Sequence, residues 1–560
     1  MKFIYEKKIN KKWREGSFFK TGSRTGSLLL FLLLILNIFC FSAVFASASL
    51  AEADIAVSDI EYIGYGANRT VSGSLHIIKM NGEKIILDAG TVFEEDRRFL
   101  PELTEDDIEG VSAVLISHAH LDHIGRLFKL FHLGYDGPIY TSGPTAELLP
   151  VMLAMAGEYG DYGEEDFYFS KGSYEKNSER GKDTAVHRYQ CEWGSRIHTA
   201  NLQEMDVVRS QLERLDFYYC NTCLGLEVDR IIDKIRVVPP LEKYPISEKL
   251  LVKFYPTPHL PGAVSIRIEG TEEDSSSLLF SGDLGSGFSP FLAEQYPLDS
   301  LQETDLLITE GTYGTNSLYD NDDERKDFRS FVGESIRSGK RVIIPAFALD
   351  RSQQVLYELV EGKIDGSIPK RTPIRIYSPS IARINNIYQR FFDDYNYEEY
   401  FSEDIMDKGY YMAAGEESYD IDELDYGEIA ISTSGMADTG FARGFVESHV
   451  EDEDTTFVFV GYQSPDTPGR ILTSAEKDEQ VVIGREEYVL EAEIAHFHCF
   501  SGHAYFDQIS DIIASIKGLD KVLLVHTDEF EELEKRYEEK FPGIEFVAPV
   551  AGEEINLKDD

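Results

Sequence analysis

The stretch VSAVLISHAHLDHIG, residues 111–125, limits what this chain can become more than any other. An apolar run of strand length ends in four metal-competent side chains within six positions: His118, His120, Asp122 and His123. At a strand-to-loop transition, two imidazoles can point at one ion while an aspartate and a histidine point at a neighbour. Further candidates lie at the ends of other strand-like runs: His259 in TPHLPGA, Asp283 in FSGDLG and His526 in LVHTDEF. Alone, each reads as a structural residue. Together they make two four-ligand sets if one carboxylate bridges. Asp88, in ILDAG, reads as a group that fixes ligand imidazoles and loop geometry from behind.

From Ile55 the pattern is that of an α/β protein, with short apolar strands, turn signals and amphipathic helices. GEKIILDAG (82–90), VSAVLISHAH (111–120), SSLLFSGDLG (276–285) and TDLLITEGTYG (304–314) predict buried strands, each ending in a polar or glycine-containing loop where function collects in such folds. Residues 160–240 lose strand periodicity and read as an insertion, with a helix near Gln203 to Arg214. A second block, 318–475, has its own strand and helix signals, as in RVIIPAFALDRSQQVLYELV. Residues 476–560 return to the first style, and VLLVHTDEFEELEKRYEEKF predicts a strand, a loop and a helix. The expected organisation is one domain, 55–317 and 476–560, interrupted by another.

These residues carry a family resemblance. SHAHLDHIG with Asp88, His259 and Asp283 resembles the metallo-β-lactamase superfamily, and the later motifs resemble its β-CASP branch of RNA-processing nucleases, whether like cleavage and polyadenylation factors or like ribonuclease J exonucleases. Glu310 in ITEGTYG matches the branch's first acidic motif, and His503 in FSGHA and His526 in LVHTDE match its second and third. PAFALDRSQQVLYEL, STSGM and GYQSPDTPGRIL are similar to stretches of the β-CASP block, so the resemblance runs from about Gly64 to Ile555. It implies a four-layer αββα sandwich with an inserted α/β β-CASP domain. A histidine at the third motif goes with RNA substrates in this family. Three positions depart from the pattern: Tyr505 stands where an acid is usual, and Asp466 and Pro468 replace a glycine and an aliphatic residue. The departures fall on substrate contacts, and every metal position survives.

The chemistry that follows is metal-dependent hydrolysis. Two zinc ions a few ångströms apart can lower the pKa of a shared water toward about 7 and clamp both oxygens of an in-line phosphoryl displacement. His118, His120 and His259 are assigned to one zinc, Asp122, His123 and His526 to the other, with Asp283 as bridge and a bridging hydroxide attacking phosphorus. Asp122 thereby counts among the catalytic groups. His503 would protonate the leaving oxygen or stabilise the charged transition state, with Glu310 orienting its ring. Arg351, Ser434, Gly435, Arg443 and Arg470 are candidates for substrate phosphate contacts, and each can equally be a surface or interdomain pair.

Composition sharpens the picture. Lys plus Arg total 54 against 100 Asp plus Glu among 560 residues, a net charge of −46, while 42% hydrophobic content is ordinary for a packed globule. Such a field repels nucleic acid over most of its surface, so grip must be local. Five cysteines exclude a disulfide-dense scaffold. Three of them sit in the insertion, where His187, Cys191, Cys220 and Cys223 read as a structural zinc site, a disulfide or free thiols. Cys499 reads as a small buried hydrophobe, with His496 and His498 supporting its loop. Eight basic residues precede an uncharged run from Leu28 to Ala46, 19 residues long, followed by Ala46-Ser47-Ala48. Residues 1–48 therefore read as a cleaved signal peptide or an uncleaved membrane anchor, although the resemblance alone would imply a cytoplasmic protein.

The leading expectation is a zinc-dependent ribonuclease of single-stranded RNA, with two zincs per active site, a third structural zinc at the cysteine cluster, and endonuclease and 5′ exonuclease modes both open. Expected partners are RNA, a membrane through the N-terminal segment, and a second copy of the chain as a homodimer. The competing readings are an exported or anchored metallo-hydrolase acting on DNA or a small phosphoester or ester, and a noncatalytic RNA-processing subunit.

Overall fold

A computed structural model describes residues 60–92, 100–159, 189–190, 197–198, 228–272, 275–287, 289, 292, 301–317, 321–395, 412–413, 421–500 and 502–556. The N-terminal segment, the helix expected near Gln203 to Arg214, and His187, Cys191, Cys220 and Cys223 lie outside these residues. Among the described residues, no helix is long and apolar enough to cross a membrane.

Alternation along the strands dictates the layers. In Ser277–Phe280, Leu278 and Phe280 point one way and Leu279 the other; in Leu306–Glu310 and Lys521–Val525 the same division separates Leu306, Ile308, Leu523 and Val525 from Leu307, Val522 and Leu524. The first group meets Ile78, Met80, Ile85, Leu87, Ala113 and Leu115 of a second sheet. The remaining side chains pack under the helices Phe506–Ser515 and Phe530–Lys540. On the far side, Ile77, Ile86 and Val114 face the helices Leu127–His132 and Gly143–Tyr159. Strands that are apolar on both faces must be covered on both, and the result is helix, sheet, sheet, helix.

Among the described residues each of these two sheets has seven strands. One runs in the order Glu554–Asn556, Ile60–Gly64, His76–Met80, Glu83–Leu87, Val111–Leu115, Ile139–Thr141 and Ile235–Val237. The other runs Glu545–Val547, Lys521–Val525, Leu306–Glu310, Ser277–Phe280, Val264–Gly270, Leu250–Pro256 and Lys243–Pro245. Each sheet thus takes strands from both the early chain and the last 40 residues. Leu306–Glu310 pairs in parallel with Lys521–Val525, setting Glu310 opposite Val525, one residue before His526.

The chain between these paired strands builds a third sheet, parallel throughout, in the order Met412–Ala413, Ile374–Tyr377, Ile429–Ser432, Arg341–Pro345, Thr455–Phe459 and Glu493–His496. Val342, Ile344, Ile429 and Ile431 face the helices Asp322–Arg337, Arg351–Asp365 and Pro379–Tyr395, while Ile343, Ala430, Phe457 and Phe459 face Gly440–His449. The expected boundary at residue 475 falls short of this sheet, whose last strand, Glu493–His496, follows a hairpin of Gln480–Ile483 and Glu486–Val489. The insertion rests on the sandwich through Pro379–Tyr395 and Gly143–Tyr159, where Arg390 pairs with Glu147 at 3.0 Å.

Candidate active site

Six strand ends converge on one pocket of buried polar side chains. After Val111–Leu115 the chain extends through His118 to His120, which begins the short helix Leu121–Ile124 carrying Asp122 and His123. The loop after Glu83–Leu87 is laced to this motif: Ala89 N donates to His123 O at 2.7 Å, and Arg126 N to Ala89 O at 2.6 Å. Gly90 is required here, because a Cβ would stand 1.5 Å from the Asp122 carbonyl. Gly285 meets the same constraint, since its Cβ would lie 1.8 Å from Pro258 O beside His259. These close approaches bring Asp283 and His259 to the His118 motif.

The donor atoms form two groups. In the first, His118 Nε2 and His259 Nε2 lie 3.1 Å and 3.2 Å from His120 Nδ1, and 3.6 Å and 3.5 Å from Asp283 Oδ2. A tetrahedral ion held at about 2.0–2.1 Å leaves its ligand atoms about 3.3–3.4 Å apart, so these spacings fit one. In the second, His123 Nε2 is 3.2 Å from Asp283 Oδ1 and 3.9 Å from Asp122 Oδ2, while His526 Nε2 is 3.4 Å from Asp122 Oδ2 and 3.9 Å from Asp283 Oδ1. Asp283 therefore offers one oxygen to each group. Nε2 of His123 and of His526 are buried and outside hydrogen-bond geometry, which suits them as metal ligands.

The opposite ring nitrogens are tethered. His123 Nδ1 donates to Asp88 Oδ2 at 2.7 Å, His259 Nδ1 to Gly502 O at 2.8 Å, and His526 Nδ1 to Thr312 Oγ1 at 2.9 Å; Ser117 Oγ lies 3.0 Å from His118 Nδ1. Each tether directs Nε2 inward, which is how metal-binding imidazoles are oriented. Asp88 is itself fixed by Ser117, whose N and Oγ donate at 2.7 and 2.8 Å, and by Ser74 Oγ at 3.2 Å.

Electrostatics follow from burial and the two carboxylates. Burial holds His118 well below the ordinary imidazole pKa and pushes His120 down to about 3 and His259 to about 4, keeping all three in the neutral, ligand form. Burial opposes charge at Asp283 too, but His123, His526 and His118 outweigh it and hold the carboxyl well below its usual range. At His123, burial is overcome by Asp283, Asp88 and Asp122, which raise the pKa well above normal. The pocket thus carries a negative potential that draws either protons or a cation.

His503 lies at its edge. Its Nδ1 donates to Glu310 Oε2 at 2.9 Å and stands 3.7 Å from Asp283 Oδ2. Burial works against a charged ring, yet Glu310 and Asp283 prevail and push the pKa to about 9. Thr312 Oγ1 donates to the same Glu310 oxygen at 2.6 Å, so one hydroxyl joins the Glu310–His503 pair to His526. Tyr313 packs its ring 5.6 Å from that of His503 and 5.1 Å from that of Tyr505.

The residues expected to touch substrate are placed unevenly. Arg351 donates through a terminal nitrogen to Val460 O at 3.1 Å. Arg443 pairs with Glu447 one helical turn on, at 2.6 Å. Ser434 Oγ accepts from the backbone N–H of Asp438 and Thr439, closing a turn. Gly435 lies against Phe347, and the Arg470 guanidinium sits 5.8 Å from the Tyr462 ring. Pro468 begins the helix Pro468–Ser474, where its missing N–H costs nothing. Cys499 is buried in the core, and His496 Nε2 donates to Gly461 O at 2.9 Å. Ser74, Ser117, Thr312 and Arg126 were not legible as site residues. Arg126, which ties Gly73 O and Tyr65 O together at 2.8 and 3.0 Å, directly follows the HLDHIG motif, its only sequence signal.

The chain is similar to known families and proteins. A model of the metallo-β-lactamase superfamily matches residues 70–312, a β-CASP domain model matches 352–472, and a model described as a Zn-dependent metallo-hydrolase RNA specificity domain matches 487–549. Ribonuclease TTHA0252 of Thermus thermophilus is 27% identical over 88% of this chain and 97% of its own length. RNase aCSPSF2 of Saccharolobus solfataricus is 25% identical over 89% and 87%, and Probable RNase MJ4 of Methanocaldococcus jannaschii 23% over 89% and 100%. The three matched stretches follow one another as the sandwich, the inserted sheet and the sandwich's return do, and the chain accordingly belongs to the metallo-β-lactamase superfamily, as a metal-dependent hydrolase of its β-CASP branch.

Proposed function

We propose that this protein is a zinc-dependent ribonuclease that hydrolyses phosphodiester bonds of single-stranded RNA. One observation carries the reading: the Glu310–His503 pair stands beside a carboxylate, Asp283, that faces two donor groups at once. The similarity to ribonucleases along nearly their whole length, and the RNA specificity match over the C-terminal part, support RNA as the polymer.

His118, His120 and His259 would hold one ion and Asp122, His123 and His526 the other, with Asp283 reaching both. Two such ions supply Lewis acidity at a phosphoryl group and lower the pKa of water toward about 7. The chain's own residues supply the rest. Glu310 fixes the Nδ1 face of His503, so the Nε2–H of the charged ring is free to donate. The Glu310 carboxylate raises the pKa of His503, which favours the charged ring that delivers this proton to the leaving oxygen. Thr312 keeps Glu310 and His526 in register, so the proton donor and the second donor group move as one body.

In this reading residues 1–48 export the chain or anchor it to a membrane, which sequencing of the mature N-terminus from fractionated cells tests. The nuclease claim is tested with labelled single-stranded RNA, single-stranded DNA and a chromogenic phosphodiester. RNA cleavage that chelator abolishes is the expected result; intact RNA beside cleaved DNA or small ester overturns it.

A further inference from the structure

Resting on the ribonuclease reading, the structure points to where the bases of the substrate lie. Three adjacent parallel strands of the inserted sheet, Ile429–Ser432, Arg341–Pro345 and Thr455–Phe459, end on one edge. Their loops carry Phe347 and Tyr462, which stay 37% and 56% exposed although Ala346, Ala348 and Leu349 around Phe347 are buried. Gly435 and Gly461 lie against the Phe347 ring: a Cβ on either would come within 2.9 Å and 3.6 Å of it. The Arg470 guanidinium is 5.8 Å from the Tyr462 ring.

The loops under these rings are rigidly tied. Gln463 Nε2 donates to Gly435 O at 3.2 Å and to Gly461 O at 3.0 Å, Gly469 N donates to Met436 O at 2.9 Å, and Arg351 holds Val460 O. The same ties lead to the active site. His496 holds Gly461, and Arg351 is close enough for its charge to act on the hydroxyl of Tyr313, whose ring packs on His503.

We propose that Phe347 and Tyr462 are a stacking platform for unpaired nucleobases of the RNA whose scissile linkage is presented to His503. Two exposed rings on the loops of neighbouring strands offer area on the scale of single bases, far below the roughly 800 Å² per partner of a protein interface. Stacking also answers the charge problem. A chain of net charge −46 gains little from a diffuse attraction to phosphates, whereas every base offers a π-face and Arg470 adds a local cation.

The test is steady-state cleavage of a labelled single-stranded RNA by the full-length holoenzyme and its Phe347→Ala, Tyr462→Ala and Tyr462→Phe variants, with unfolding midpoints as a check on the fold. The substrate is supplied intact and in a form lacking bases away from the scissile linkage. The expected result is a KM raised about tenfold by each alanine and restored within about twofold by Tyr462→Phe. On the base-depleted RNA the wild type shows the raised KM and the alanine variants lose nothing further. An unchanged KM in folded variants, or an equal loss on both substrates, overturns the platform and leaves the ribonuclease reading intact. A wild type that cleaves no RNA overturns both.

Discussion

Glu310 and His503, 193 positions apart, share a 2.9 Å hydrogen bond beside Asp283. The pairing exists because Glu310 ends a strand of the second sheet while the chain, after building the inserted sheet, returns to the same edge. The expected consequence is a proton donor whose pKa is set by its partner. Glu310→Gln removes the negative charge that raises the His503 pKa, so the alkaline limb of the kcat–pH profile should move to lower pH than in the wild type. A limb that stays in place shows that another group titrates there.

His503→Ala should lower kcat by about 10²–10⁴-fold while leaving about two zincs per chain, measured by elemental counting on the same preparation. The ring reaches the pocket's edge through Glu310 and is not one of the donors that converge within 4.8 Å. Loss of metal in this variant would make its role structural.

Asp88 has a different expected signature. It accepts from His123 Nδ1, and from Ser117 and Ser74, without facing the donor groups. Asp88→Asn should weaken zinc binding by about 10–100-fold, read by competition with a chromogenic chelator. An unchanged affinity would show that His123 keeps its orientation without the carboxylate.

Asp350 offers a test away from the chemistry. Buried, with Gln354 Nε2 donating at 2.6 Å and Arg351 next in sequence, its carboxyl is pushed by burial from 3.8 up to about 6. The folded state then binds a proton more tightly than the unfolded one. Its contribution to stability is present below about pH 4 and lost as pH rises through 6, by up to roughly 3 kcal/mol. Asp350→Asn keeps an acceptor and tolerates the φ of 67°, so it should resist urea better than the wild type at pH 8, with a much smaller advantage at pH 4.5, where about two-thirds of the wild-type contribution remains. Equal stability at pH 8 would show that the carboxylate is fully compensated.

Much of this was legible because metal donors and strand ends have strong signatures. His118 to His123 stand out by spacing, and His259, Asp283 and His526 each follow an apolar run. Ser74, Ser117 and Thr312 are short hydroxyl residues common in any loop, and only the fold reveals that they hold Asp88, Glu310 and His526. The 475 boundary stopped short of His496 because EIAH, the final strand of the inserted sheet, is brief and follows a polar hairpin, so nothing local assigns it to either sheet. Arg443 carried a local clue in Glu447 at helical spacing, which the structure makes an ion pair.

Net charge bears on conditions. The anionic exterior opposes RNA at low salt, and screening shortens that repulsion to a few ångströms at high salt. RNA cleavage should therefore hold or rise between about 50 and 300 mM salt. A steep loss, as for a basic binder, would show that phosphate contacts dominate.

Two donor groups sharing Asp283 are proposed to hold the metal on which RNA hydrolysis depends. The most direct measurement is zinc content and cleavage of labelled single-stranded RNA on one preparation, before chelation, after chelation and after zinc return. About two zincs per chain are expected, with cleavage lost on their removal and recovered when zinc is restored. RNA cleavage that persists in the metal-depleted protein would contradict this proposal.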